Sequence, residues 1–101
     1  SDKMSFPRER GCENDGSVEF CLPAGDSALL ARAQAIAPTL RCAPGGGRAR
    51  CDAARELLCF FPTGEAQCVA RYGALTDEAW ATLCGLAALP EVRRIVPTFF
   101  E

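Results

Sequence analysis

The sequence predicts a mainly α fold: a small disulfide-stapled bundle of three to four short helices, with at most one short two-stranded β element. Several alanine- and leucine-rich segments place apolar residues at helical spacing and follow residues that cap helices. Seven cysteines in 101 residues approach the density of small disulfide scaffolds from oxidising compartments. Because so short a chain buries only one core, we expect residues 1–101 to form a single disulfide-rich domain.

The N-terminal part of the chain is expected to be irregular until the first strand. Residues 1–16 are polar and contain several turn-forming residues, so we expect residues 1–11 to be a surface tail. Residues 17–22 alternate between apolar and other side chains, which predicts a short half-buried strand. Its candidate partner is the segment 94–100, and this pairing would form the two-stranded element.

Four helical segments follow the strand. Asp26 caps a helix over 27–37, and Thr76 caps a later helix that Pro90 interrupts. Between them, 49–61 and 65–72 are predicted to be helical. The inward-facing residues expected in the four helices include Leu29, Leu30, Ala33, Ile36 and Ala37, then Ala54, Leu57, Leu58 and Phe61, then Tyr72, and finally Trp80, Leu83, Cys84 and Ala87.

The cysteines follow a regular spacing. The pattern C-x8-C occurs three times, as Cys12 with Cys21, Cys42 with Cys51, and Cys59 with Cys68. We predict that these nearest neighbours pair and that Cys84 is unpaired and buried as a small hydrophobe. The alternative is that Cys84 pairs and another cysteine bonds a partner chain.

Composition excludes several functions. Histidine is absent, which removes the commonest general base and metal ligand. No C-x2-C or comparable spacing occurs, so we expect no metal and no cofactor. The net charge of -2 disfavours nucleic acid as a partner, and no apolar run reaches the length of a transmembrane helix.

The stretch RCAPGGGRARC, residues 41–51, is the strongest candidate for an anion or partner contact. Its glycines offer backbone N–H groups, and positive charge gathers at Arg41, Arg48, Arg50 and Arg55. The lysine and hydroxyl of a nucleotide-binding P-loop are missing. The competing interpretation is a solvated loop whose glycines only permit a tight disulfide-closed turn.

The C-terminus offers a second candidate contact. Val96, Phe99 and Phe100 are apolar residues next to the chain end, so they either clamp the core or form a docking tail that binds another protein.

The leading hypothesis is a non-catalytic, exported domain, periplasmic or extracellular, that binds protein partners or builds into a larger assembly. The alternatives are a helical carrier of an apolar ligand and a redox accessory protein with one reactive cysteine. The abundance of Ala, Arg, Gly and Leu, with Lys3 as the single lysine, indicates GC-rich coding DNA and a bacterial source. No signal-peptide pattern is present, so an exported chain would be a mature form or a piece of a precursor.

Overall fold

The computed structural model describes residues 2–13 and 16–98 and contains a four-stranded antiparallel sheet with two helices. The prediction of a mainly α bundle is therefore wrong. The elements in chain order are β1 (Gly16–Pro23), α1 (Ser27–Ile36), β2 (Arg41–Pro44), β3 (Glu56–Thr63), α2 (Asp77–Ala87) and β4 (Val96–Pro97). Short 3-10 turns occupy Arg8–Arg10 and Glu65–Gln67.

The strands lie in the order β2-β3-β1-β4, and each neighbouring pair is antiparallel. Strands β1 and β2 therefore run parallel, are joined by α1, and have β3 between them. Strands β3 and β4 are related in the same way through α2, with β1 between them. This is the split β-α-β arrangement used twice.

The central pair of strands is buried on both faces. On one face Val18, Phe20 and Leu22 of β1 join Cys59 and Phe61 of β3 in the main core with both helices. On the opposite face a smaller cluster contains Cys21, Cys51 and Leu58, with Ala49 and Phe60 packed against it. The loop between β2 and β3 covers this second face, so the sheet has no solvated side at its centre.

Burial on both faces explains why the helix predicted over 49–61 is wrong. Leu57, Leu58 and Phe61 match helical spacing, but in β3 Leu57 and Phe61 face the helices while Leu58 faces the loop. A strand covered on both faces has a continuous apolar run without alternation, and periodicity does not distinguish such a run from a helix. The helix predicted over 65–72 is also wrong, because only Glu65–Gln67 forms a helical turn.

The N-terminal segment is part of the core, which corrects the prediction of a surface tail over residues 1–11. Met4 and Phe6 are buried, and Met4 forms a parallel bridge with Ile95. The ring of Phe6 meets the ring of Trp80 edge-on, with 6.2 Å between centroids. The segment therefore lies beside the C-terminal strand and seals that end of the core.

The two helices begin where their capping residues predicted. The carboxylate of Asp26 accepts a hydrogen bond from the Leu29 N–H at 3.0 Å, and the hydroxyl of Thr76 accepts one from the Ala79 N–H at 3.1 Å. Neither helix in the described part of the chain has the length and apolar character needed to cross a membrane.

Three disulfides join distant parts of the chain, and the predicted nearest-neighbour pairing is wrong. The bonds are Cys12–Cys68, Cys21–Cys51 and Cys42–Cys59, with sequence separations of 56, 30 and 17 residues. Cys42 and Cys59 are directly opposite in the β2–β3 ladder. The equal C-x8-C spacing carries no pairing information because the folded chain, rather than sequence distance, brings the sulfurs together. Strand register does so directly only for Cys42–Cys59, since Cys12, Cys51 and Cys68 lie outside the strands. Cys84 is a free thiol.

Candidate functional site

The glycine-rich loop between β2 and β3 is a closed turn rather than the start of a helix. The Arg50 N–H donates to the Gly47 carbonyl at 3.3 Å, and the Cys51 N–H donates to the Gly46 carbonyl at 2.8 Å. The Cys21–Cys51 disulfide fastens the end of this turn to β1. The helix predicted to begin at residue 49 does not form, so the glycines do not adjoin a helix N-terminus.

The buried carboxylate of Glu19 binds the glycine-rich turn to the sheet. Glu19 of β1 is 1% exposed. Its Oε2 accepts a hydrogen bond from the Ala49 N–H at 3.0 Å, and its Oε1 accepts one from the Thr98 hydroxyl at 2.7 Å. Glu19 thus connects the glycine-rich turn to the residue that follows β4. The turn forms one wall of a surface cleft, and β4 with the segment before it forms the other.

This surface, which we call the arginine cleft, is a hollow of about 540 Å³. Its walls carry Arg48 and Arg50 from the turn and Arg94 from the segment before β4, with Ala49, Val96, Pro97 and Ser5 as the remaining lining. A smaller hollow of about 250 Å³ adjoins it and is lined by Arg50, Arg93, Arg94, Ala49 and Cys21. Four arginines therefore surround one region of a chain whose net charge is -2.

Of the four arginines predicted to contact an anion or a partner, two line the arginine cleft and two do not. The structure brings Arg48 and Arg50 together and adds Arg94, which the sequence analysis did not single out. Arg41 lies on the edge strand β2, opposite Phe60. Arg55 lies 4.0 Å from Asp52 and is absent from the lining of the cleft.

The predicted docking tail is represented by one described residue. Val96 lies in β4, pairs with Glu19 of β1 and is 8% exposed. Because this side chain is buried at the sheet edge, it offers little surface to a partner. Phe99 and Phe100 lie outside the described residues.

A second surface, missed from the sequence, is the turn over residues 68–75, which we call the tyrosine turn. Val69 is 68% exposed and Tyr72 is 54% exposed, and they are the large apolar side chains left open to solvent in the described part of the chain. The prediction that Tyr72 belongs to the core is therefore wrong. The turn closes through a bridge between Cys68 and Leu75 and a hydrogen bond from the Val69 N–H to the Ala74 carbonyl at 2.9 Å.

The tyrosine turn is anchored to the N-terminal segment on both sides. The Cys12–Cys68 disulfide fixes its first residue. The Cys12 N–H donates to the Gly73 carbonyl at 3.0 Å, and the Leu75 N–H donates to the Arg8 carbonyl at 3.1 Å. Beside the turn lies a cleft of about 550 Å³ that is also bordered by Thr63, Gly64 and Glu65.

The two surfaces share an uncommon backbone feature. Among the described residues, Arg50 and Tyr72 are the non-glycine residues with positive φ, at 57° and 61°. This left-handed conformation costs an ordinary residue roughly 1–2 kcal/mol. Such residues concentrate at functional sites, where the surrounding structure enforces them. The guanidinium of Arg71 also lies 4.8 Å from the centroid of the Tyr72 ring, within the range of a cation–π contact.

Trp80 and Cys84 lie on the core side of α2. Both are partly buried and pack against the main cluster, which confirms the prediction for Trp80. Cys84 is a free thiol at the edge of that core, where a cysteine behaves as a small hydrophobe.

Comparison with protein-family models, with curated proteins and with solved structures found no match to this chain.

Proposed function

We propose that the chain is a non-catalytic, exported domain that binds a protein partner through the tyrosine turn. The observation that carries the proposal is the concentration of exposed apolar surface, at Val69 and Tyr72, on one disulfide-anchored turn. Every other large apolar side chain in the described residues is at least partly buried.

The composition and anchoring of the turn suit protein recognition. Tyrosine and arginine are enriched among the residues that dominate binding energy at interfaces. A tyrosine ring offers a large contact area with few rotatable bonds, so binding costs little conformational entropy. The disulfide and flanking hydrogen bonds already order the backbone, which lowers the entropy lost on association.

The three disulfides support an oxidising compartment, either periplasmic or extracellular, because reducing compartments rarely keep such bonds. The absence of histidine in the whole sequence supports a non-catalytic role. The carrier alternative loses support because two helices packed on a sheet do not form the ligand-enclosing bundle it requires. The redox alternative loses support because Cys84 packs against core residues.

Site-specific photo-crosslinking tests the proposal. A photoreactive phenylalanine analogue replaces Val69 in one variant and Ala81, an exposed residue of α2, in a control variant. Each protein is incubated with extract of the native compartment and irradiated. We expect a discrete covalent protein adduct from position 69 and none from position 81.

A second substitution tests whether the crosslinked partner contacts the Tyr72 ring. Tyr72→Asn, in the background that carries the crosslinker at position 69, keeps a residue that tolerates left-handed backbone and removes the ring. We expect the adduct to fall by about tenfold or more, because truncating an aromatic hot spot costs about 2 kcal/mol or more of binding energy. Adducts of equal yield from positions 69 and 81, or an adduct that Tyr72→Asn leaves unchanged, would argue against the proposal.

A further inference from the structure

We propose that the arginine cleft is a second, independent binding site, and that its ligand is an acidic peptide segment of a protein. The tyrosine turn and the arginine cleft have no lining residue in common, so the two proposals stand or fall separately.

The charge of the cleft supports an anionic ligand. In residues 2–13 and 16–98 neither Arg50 nor Arg94 takes part in an ion pair, and both are exposed. Arg93 differs, because its guanidinium lies 2.8 Å from the Glu56 carboxylate. Arg50 and Arg94 thus present unneutralised charge on opposite walls of one hollow, on a chain that is acidic overall.

The chemistry of the cleft favours carboxylates on a peptide over a sulfated or phosphorylated polysaccharide. Arginine binds carboxylates through two parallel hydrogen bonds, which fix their orientation. Between the arginines, Ala49 and Pro97 contribute apolar surface beside Ser5 and the largely buried Val96. A peptide places aliphatic side-chain stems on such a surface while its carboxylates reach the guanidinium groups, whereas a polysaccharide has mainly hydroxyl groups to bury there.

The walls are fixed before a ligand arrives. The wall that carries Arg50 is tied to β1 by the Cys21–Cys51 disulfide and by the hydrogen bond from Ala49 to Glu19. The wall that carries Arg94 continues into β4, which pairs with β1. Both walls are therefore held by the same strand, β1. Because the site is already ordered, a ligand does not lose binding energy in assembling it.

Fluorescence anisotropy with a labelled octaglutamate peptide tests the inference. We expect saturable binding that weakens as salt is raised, because exposed charge contacts are screened. Arg50→Ala with Arg94→Ala should lower affinity by at least about tenfold, as two charge-assisted contacts are lost. Arg50→Lys with Arg94→Lys keeps the charge but not the paired hydrogen bonds, so its affinity should lie between those of the other two proteins.

A matched control removes the same charge elsewhere. Arg41→Ala with Arg55→Ala deletes two exposed arginines that do not line the cleft, and we expect affinity within about twofold of the parent protein. Equal losses in the two alanine double variants would reveal a general charge effect and overturn the inference. Stronger binding of a heparin-derived octasaccharide than of octaglutamate, abolished by the Arg50/Arg94 change, would overturn it in favour of a polysaccharide ligand.

Discussion

At the scale of single residues, Glu19 links β1 to the glycine-rich turn and to the segment that follows β4. It lies in the central strand β1, and its two carboxylate oxygens accept hydrogen bonds from Ala49, which lines the arginine cleft, and from Thr98, which follows β4. A buried carboxylate is costly unless its acceptors are satisfied. Both oxygens of Glu19 have a hydrogen-bond donor, so this carboxylate positions the glycine-rich turn and the segment that follows β4.

We expect Glu19→Ala to lower the free energy of unfolding by about 3 kcal/mol, since it removes two hydrogen bonds to a charged group and leaves their donors buried. Glu19→Gln should cost about 1 kcal/mol, because the amide accepts from Ala49 and donates to the Thr98 hydroxyl. Denaturant unfolding with the disulfides intact measures both. As a control, Glu9→Ala alters an exposed carboxylate and should cost under about 0.5 kcal/mol. Equal effects of Glu9→Ala and Glu19→Ala would contradict this role.

At the scale of elements, the glycine-rich loop packs closely against one face of the sheet. A comparison of two glycines, Gly25 and Gly47, distinguishes the cost of backbone strain from the cost of overpacking. Gly47 and Gly25 both have positive φ, at 61° and 85°. A Cβ at Gly25 meets nothing within 4 Å, whereas a Cβ at Gly47 would overlap the Glu19 carboxylate and lie 2.6 Å from Leu58 Cδ2.

Gly25→Ala should therefore cost roughly 1–2 kcal/mol of unfolding free energy, from the left-handed backbone alone. Gly47→Ala should cost a further 1–3 kcal/mol or so, from overpacking against β1 and β3. Thermal and denaturant unfolding of both variants measure the difference. If the two substitutions prove equally destabilising, the loop does not pack tightly against the sheet.

The sequence predicts those elements whose signals are local. The caps at Asp26 and Thr76 locate the starts of both helices, and alternation locates β1. The prediction that β1 is only half-buried is wrong, because Glu19 and Cys21 on its other face are also buried. Strand β3 is not predicted because both of its faces are buried, and the second face is covered by a loop that the sequence does not place. Helical spacing at Leu57, Leu58 and Phe61 is therefore accidental.

The two candidate surfaces are predictable to different degrees. Arg48 and Arg50 are visible as a charged pair beside glycines. The predicted pairing of 17–22 with 94–100 is confirmed at Val96–Pro97, but it does not show that Arg94 lies near the glycine-rich turn, because the sequence does not place that turn over the sheet. In the tyrosine turn, Tyr72 followed by Gly73 resembles a helix ending at a glycine cap. The cue that distinguishes the alternatives is the disulfide at Cys68, and its partner Cys12 is not deducible from spacing.

At the scale of the whole molecule, two of the three disulfides hold segments that the hydrogen bonds of the sheet do not hold. Cys12–Cys68 ties the N-terminal segment to the tyrosine turn, and Cys21–Cys51 ties the glycine-rich loop to β1. Cys42–Cys59 lies within paired strands. The first two bonds therefore order the two candidate surfaces, while the third reinforces a ladder that already exists.

Removing single disulfides should separate these roles. With separations of 56 and 17 residues, the chain-entropy model gives losses of about 4 kcal/mol for Cys12→Ala with Cys68→Ala and about 3 kcal/mol for Cys42→Ala with Cys59→Ala. Although the global losses are similar, the local ones should differ. Hydrogen exchange at the Val69 and Thr76 amides, which donate to Ala74 and Gln67, should accelerate at least about tenfold more in the first variant, because its turn opens without global unfolding. Equal acceleration in both variants would mean that the hydrogen bonds alone hold the tyrosine turn, and that its disulfide stabilises the fold without ordering the binding surface.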